Sequence, residues 1–502
     1  MKHDPIPDDV TDIASPAAKD PAADTQSPEG GFARARETLG IRTTFPDDVL
    51  REAERVASER HPAAGPERAD LTEIPFVTID PPGSRDLDQA VHVERTSTGY
   101  RLRYAIADVG YWVDRGGAIE REAWLRGVTY YAPDEREPLY PPALSEGAAS
   151  LLPDRVRPAV TFDLALDGDA RLVTSAIGRT IVRSRAQLTY AQLLAHAVAP
   201  ERSPLGGEPW GETLTLIGEI GPKLLALEAA RGGVSLPVRD QHVQRRAAGL
   251  LGFELVYELP NVAEGWNAEL SLLAGHVAAE RMLASGVGLM RTMTPIVPQA
   301  AERLRRVALT LGFDWPPGTS YAEFMHGVDV RHPRIDVLVR QARRLMRGAE
   351  YVAFAGAAPE QAAHGALAFT YAHTTAPLRR LADRYVLDLL CELEAGVPSA
   401  DAAATLAALA PVMNAAGRRE GALERAVVDL AETMALRPHV GAVLDAVVID
   451  VARAGVEVQV EEPPVRATIP LGEGPEPELG ARVSVRVERA DPEDGVARLV
   501  FS

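Results

Sequence analysis

The sequence predicts an α+β chain that ends in a small all-β barrel, and three observations carry that reading. Short alternating apolar runs crowd residues 75–184, helical periodicity dominates from about residue 190 to residue 436, and five short apolar strands recur within the last 65 or so residues. The chain has 502 residues, 46% hydrophobic and 25% charged, which suits several soluble domains around a large core. No run approaches the roughly 18 unbroken apolar residues of a membrane span, so no membrane partner is expected. The N-terminus does not read as a basic-then-apolar signal peptide, and the single cysteine, Cys391, permits neither an internal disulfide nor a cysteine metal cluster. A cytoplasmic monomer is the expectation, with Cys391 as a small core residue in an apolar helix.

In chain order, residues 1–30 are mostly Pro, Ala, Asp and Ser and predict a disordered tail. Residues 31–70 predict a small helical element and linker: the pattern turns helical from Phe32, and Phe45-Pro46-Asp47-Asp48-Val49 opens a helix running to about Arg60. The α+β part spans 71–435. Pro75 to Ile79 reads as a strand ending on Asp80. Pro81-Pro82-Gly83 then forces a loop that carries Asp86, Asp88 and Gln89. A hairpin follows, with Val91 and Val93 on one strand, a Thr-Ser-Thr-Gly turn, and Tyr100, Leu102, Tyr104 and Ile106 on the other. Helices are predicted over Ala118–Arg126 and Ala143–Leu152, then strands over Val160–Leu166 and Leu172–Ser184. Further helices are predicted over Tyr190–Val198, Glu212–Arg231, Asn267–Ala284, Gln299–Leu311, Arg334–Arg347 and Pro377–Glu394, with two more between Asp401 and Leu436. Residues 436–502 supply five strands and suggest an OB-fold barrel.

The loop after Ile79 carries the chemistry. Three carboxylates and an amide sit on one strand-end turn, where like charges repel unless a cation lies among them. A solvated acidic turn explains the pattern, since Asp bonds its own backbone in loops. A hard divalent ion, Mg²⁺ or Mn²⁺, explains it too. An EF-hand does not: counting from Asp86, the glycine position holds Val91 and the closing acid position Ser97. Dinucleotide and P-loop fingerprints do not fit the chain, so no nucleotide cofactor is expected.

Thr78-Ile79-Asp80 followed by Arg85-Asp86-Leu87-Asp88 resembles the catalytic loop of the RNase II/RNase R family, the 3′-to-5′ exoribonucleases with an RNB domain. The match repeats in family order. It continues through Ala105 to Val109, Glu120 to Ala123 with Arg126-Gly127, Pro141 to Leu152, Arg183 to Ala186 with Leu188-Thr189-Tyr190, and Tyr371-Ala372-His373 through Ala376-Pro377-Leu378-Arg379-Arg380. The resemblance covers roughly Asp70 to Gly396 and implies an α+β RNB catalytic domain followed by an S1-type OB-fold. It also implies a Mg²⁺-dependent, processive hydrolase that degrades single-stranded RNA to 5′-mononucleotides. By the same resemblance Asp80, Asp86 and Asp88 match the first three of four family acids, with Gln89 at the fourth position. Asp80, Asp86, Asp88 and Gln89 are therefore the expected metal site. Arg379 matches the arginine at the scissile phosphate, with Arg380 beside it. Tyr131 matches the tyrosine that stacks on the 3′-terminal base. Glu269 matches the first acid of a pair near the terminal sugars, where the second position here holds Leu270. Cold-shock domains normally precede the linker in this family. The roughly 40 residues here predict the small helical element in their place.

The net charge of −18, taken alone, argues against nucleic acid as a partner. Basic residues are bunched nonetheless, at Arg303, Arg305 and Arg306, at Arg340, Arg343, Arg344 and Arg347, and at Arg379 and Arg380. These are either solvated helix faces or the lining of an interior basic channel. Between Leu436 and Phe501 there is no Phe, Tyr or Trp, so the barrel has few means of stacking bases. A second reading follows from these departures: a catalytically weak RNA-binding protein on the same fold.

Overall fold

Helices α1 (Pro28–Thr38) and α2 (Asp47–Glu59) open the computed structural model. It describes residues 28–234, 240–245, 253–258, 261–346, 348–396, 399–453, 455–471, 476–492 and 495–502. The tail expected over 1–30 thus falls almost wholly outside the described residues, and so does Arg347. α2 starts after Pro46 with Asp47 and Asp48 in its first turn and buries Val49, Ala53 and Val56 on one stripe. The N-terminal helices are clasped to the rest of the chain. Arg36 meets Asp134 through two hydrogen bonds of 2.8 Å, Arg42 meets Glu122 at 2.7 and 2.9 Å, and Arg126 lies over the Phe45 ring.

The strand-rich part comprises β1 (Ala69–Asp70), β2 (Phe76–Ile79), β3 (Gln89–Thr96), β4 (Gly99–Ala107), α3 (Ala118–Arg126), the short hairpin β5 (Tyr130–Tyr131) and β6 (Arg136–Glu137), β7 (Val156–Asp167) and β8 (Leu172–Leu188). The sheet order is β1-β8-β2-β3-β4-β7, and β7 pairs again with β8, so the sheet closes on itself. β8 is long enough to serve both neighbours. Its first part runs antiparallel to β7, and Ser184 to Leu188 runs parallel to β2. Val77, Val91, Val93, Leu102, Phe162 and Leu164 are buried together on one face of this sheet.

The helix expected over Ala143–Leu152 is cut to one wide turn, Ala143–Ala148. The cause is visible in its hydrogen bonds. Ser150 donates to the Arg85 carbonyl at 2.7 Å and accepts from the Leu87 amide at 3.0 Å, while the Leu151 amide donates to the Leu87 carbonyl at 3.0 Å. The segment spends its polar groups on the acidic loop, and Leu87 between the two aspartates is fully buried.

Next come α4 (Tyr190–Val198), α5 (Gly211–Arg231), the hairpin β9 (Asp240–Arg245) and β10 (Phe253–Glu258), and α6 (Val262–Ser285). α6 starts earlier than the periodicity suggests, because Asn261 and Glu264 form a capping box. The hairpin of β11 (Val287–Thr292) and β12 (Glu350–Ala355) brackets a helical insertion of α7 (Pro298–Thr310), α8 (Tyr321–Gly327) and α9 (Ile335–Leu345). β13 (Ala363–His364) and β14 (Phe369–Thr370) precede α10 (Leu381–Glu394), which begins after Arg380 and leaves Pro377 to Arg380 in a loop. One helix, α11 (Ala402–Leu436), replaces the two expected. Its buried stripe of Leu406, Leu409, Met413, Leu423, Val427 and Leu430 runs through Pro411, and this packing offsets the roughly 3 kcal/mol an interior proline costs.

Five strands close the chain in the order β17-β16-β15-β18-β19: β15 (Val443–Ala452), β16 (Gly455–Val460), β17 (Arg466–Ile469), β18 (Arg482–Asp491) and β19 (Val496–Phe501). The arginines of α9 are committed here. Arg340 meets Glu457 at 2.7 Å, Arg344 meets Asp450, and Gln341 adds a bond of 3.1 Å to Asp450. Arg340 and Arg344, open in sequence to being a solvated helix face or a channel lining, are therefore a clasp between α9 and the barrel. Arg305, likewise, donates to the Trp315 carbonyl at 3.0 Å.

Candidate active site

Asp80 stands at the end of β2, its amide donating to the Leu188 carbonyl at 2.9 Å. Gly83, at φ +82°, completes the reversal that two prolines begin. Asp86 and Asp88 flank buried Leu87, and Gln89 opens β3. The opposite wall is the loop before α10. There the Leu378 amide donates to Asp88 Oδ1 at 2.7 Å, and Arg379 Nε lies 3.4 Å from Asp88 Oδ2. A third wall is the β5–β6 hairpin: Arg136 donates to Asp86 Oδ1 at 2.8 Å and the Tyr131 hydroxyl to Asp86 Oδ2 at 3.3 Å. The walls are joined, since the Thr129 amide donates to the Arg379 carbonyl at 2.9 Å and the Leu381 amide to the Gly127 carbonyl at 3.0 Å. Gly127 sits at φ +78°, and a Cβ there would fall 2.6 Å from that of Ala416, so only glycine fits.

The chain thus brings Asp80, Asp86, Asp88, Tyr131 and Arg379 to one place. Asp88 is buried, and that burial, against the pull of Arg379 and the Leu378 amide, pushes its carboxyl up to about 8. Burial, opposed by Arg379 and reinforced by Asp86, pushes Asp80 up to about 6. Tyr131 is open to solvent, 47% exposed.

Three expected site residues are placed differently. Gln89 directs Oε1 to the hydroxyls of Tyr104 and of Ser271, the latter 3.0 Å away. This carbonyl oxygen is occupied by donors, whereas it was expected to face a metal. Glu269 lies in the third turn of α6, buried between helices. Its nearest charged partner is Arg231 at 3.6 Å, and Glu228 is close by, so it is part of the α5–α6 packing. Arg380 is locked on Asp383 by bonds of 2.7 to 3.1 Å and braces the start of α10. His373 is half-buried, with Nδ1 2.6 Å from the Tyr351 hydroxyl, and desolvation and nearby arginines hold it well below the usual imidazole range.

Arg136 was missed, although a signal existed. Tyr131-Ala-Pro-Asp-Glu-Arg136 has a Pro-Asp turn at its centre, and a tight hairpin there sets Arg136 opposite Tyr131. Ser271 and Tyr104 carry no local signal for their roles.

A divalent ion fits the donor types here. Asp80 Oδ2 is buried without a hydrogen-bond partner, and oxygen-rich carboxylate sites suit Mg²⁺ or Mn²⁺. As the side chains stand, no three His, Cys, Asp or Glu among the described residues gather around one point, because Asp86 is drawn to Arg136 and Tyr131.

Residues 68–395 match the RNB domain, and residues 442–501 match the RNase II-type exonuclease C-terminal S1 domain. The chain belongs to the RNB family. Among curated proteins, Ribonuclease R of Aquifex aeolicus is 28% identical over 84% of this chain and 60% of its own length. Ribonuclease R of Escherichia coli is 29% identical over 70% of this chain and 43% of its own. The chain therefore spans about half the length of these relatives. Among solved structures, Mycoplasma genitalium RNase R in complex with ribose-methylated single-stranded RNA superposes with a TM-score of 0.83 at 19% identity, over 95% of this chain and 78% of that one. Yeast Ssd1, a pseudonuclease, superposes with a TM-score of 0.65 at 16% identity, over 89% of this chain and 56% of that one. These likenesses concern the fold. No helix among the described residues is long and apolar enough to cross a membrane.

Proposed function

We propose that the protein is a divalent-metal-dependent, processive 3′-to-5′ exoribonuclease that hydrolyses single-stranded RNA to 5′-mononucleotides, with Mg²⁺ the expected ion and Mn²⁺ a substitute. One observation carries the reading: buried Asp88 and half-buried Asp80 lie beside the Arg379 guanidinium, with Asp86 on the same loop. Mere binding of RNA requires no such cluster of acids.

Asp80, Asp86 and Asp88 are the residues that would hold the metal. When bound, a divalent ion supplies an activated water and offsets charge on the phosphoryl oxygens. Arg379 presents a planar fork to the scissile phosphate and stabilises the charge that shifts there in the transition state. Its contact with Asp88 holds that fork in place before substrate arrives. Tyr131 stacks on the terminal base, an interaction of about 1–3 kcal/mol that is indifferent to base identity. The Asp86–Tyr131 contact couples the stacking hairpin to the acidic loop.

The second reading, an RNA-binding protein of feeble activity, is favoured by Gln89, whose oxygen is tied to Tyr104 and Ser271. Product analysis separates the two. Exoribonuclease activity releases nucleoside 5′-monophosphates from oligoadenylate, readable by chromatography, while the alternative leaves the oligomer intact at every Mg²⁺ and Mn²⁺ concentration.

A further inference from the structure

Behind Arg379 lies a cluster of guanidinium groups with unequal company. Arg379 has Asp88 at 3.4 Å and Arg380 has Asp383 at 2.7 Å. Arg291, on β11, has neither a hydrogen-bond nor an ion-pair partner for its side chain among the described residues. Its guanidinium rests over the Tyr351 ring, 4.7 Å from the centroid, and Tyr351 is its direct partner across the β11–β12 hairpin. That platform is fixed, because the Tyr351 hydroxyl is bonded to His373 at 2.6 Å. The Arg291 amide donates to the Tyr371 carbonyl at 2.8 Å, which ties it to the segment that runs on to Arg379. Glu420 of α11 is the acid that faces Arg291, Arg379 and Arg380 together, yet it forms no ion pair with any of them among the described residues.

A half-buried guanidinium, held over an aromatic ring and forming no ion pair among the described residues, is built to receive an external anion. On the functional reading above, the anion brought to the neighbourhood of Arg379 and Arg291 is the RNA backbone. An enzyme that removes one nucleotide at a time from the 3′ end has no phosphodiester on the 3′ side of the scissile one. Any further phosphate contact therefore lies on the 5′ side. We propose that Arg291 is a second phosphate-binding residue, which takes a phosphodiester of single-stranded RNA on the 5′ side of the one that meets Arg379. The proposal rests on the exoribonuclease reading.

The test is binding of a labelled single-stranded oligoadenylate to the Asp88→Asn protein across a salt series, with and without substitution at Arg291. One phosphate contact on a single strand contributes about 0.7 to the slope of log K against log salt. Arg291→Gln should lower the slope by about that much, with affinity falling several-fold at low salt and little at high salt. Arg291→Lys, which keeps the charge, should keep the slope. Arg291→Met preserves the stem against Tyr351 and should behave as the Gln variant if the latter folds poorly. An unchanged slope in folded Gln or Met variants overturns the proposal. So does an equal loss in the Lys and Gln variants together with a lowered Tm, which marks a packing role. If the Asp88→Asn protein itself binds no RNA, the functional reading falls and this proposal with it.

Discussion

Arg136 holds Asp86 by a 2.8 Å bond from the same hairpin that carries Tyr131, and its other terminal nitrogen reaches Glu146. The acid is thus paired with a protein cation. A divalent ion that takes Asp86 as a ligand competes with that contact. Arg136→Ala should therefore lower the Mg²⁺ concentration for half-maximal rate several-fold, and a metal titration of RNA degradation reads it. An unchanged or raised requirement would show that Asp86 acts without leaving Arg136.

The hairpin is itself held from outside. Arg36 of α1 is buried against Asp134, in the middle of the turn that presents Tyr131 and Arg136, and lies 3.4 Å from Glu137 on β6. Arg36→Ala leaves buried Glu137 and half-buried Asp134 short of a cation, a change that costs on the order of 3–5 kcal/mol. A lower Tm is expected, together with faster hydrogen exchange over residues 130–137. Tyr131→Ala should shift the length of the final RNA fragment, and Arg36→Ala should shift it in the same direction. A residual fragment identical to that of the parent in both variants would show that the hairpin does not contact the terminal nucleotides.

Arg379→Ala should lose far more rate than RNA affinity, by at least about a hundredfold in kcat if it serves the transition state as a single donor of that kind does. A loss confined to affinity, measured by titration of a non-hydrolysed RNA, would reduce Arg379 to a positioning contact.

Glu269 gives the pH dependence. Burial first, and Glu228 second, raise its carboxyl from the ordinary 4.5 to about 7, against the pull of Arg231. Between those values the folded protein binds more protons than the unfolded chain, so stability falls as pH rises. The favourable contribution is complete below about 4.5 and lost as pH passes 7, a span of about 3 kcal/mol. Glu269→Gln should raise Tm at pH 8 and flatten the decline between pH 5 and 7. Its preference for RNA over DNA should be unchanged, since Glu269 faces α5. A lower Tm at pH 8 would contradict this account.

Much of the site was legible because it is local. Asp80, Asp86 and Asp88 lie on one turn, and the Pro-Pro-Gly run between them signals the loop directly. Tyr131 and Arg379 were reachable only through the motifs around them. The partners of Gln89 and Glu269, Ser271 and Arg231, come from distant helices that no spacing reveals. The same cause shortens the helix after Ala143, where Ser150 serves the loop and not its own helix. Arg340 and Arg344 look like a basic face in sequence, and only the approach of the barrel shows them paired. Arg291 was invisible for the opposite reason, since its interest lies in a guanidinium with no hydrogen-bond or ion-pair partner among the described residues.

The central claim is tested most directly by a gel time course on 5′-labelled single-stranded RNA with Mg²⁺ and with EDTA, beside the matching DNA and the Asp88→Asn protein. The account predicts direct conversion of full-length RNA to a short end product, with metal only, and no conversion of DNA or by the variant. RNA that is bound but stays intact across Mg²⁺ and Mn²⁺ titrations would contradict it, and the chain would be an RNA binder on an RNB fold.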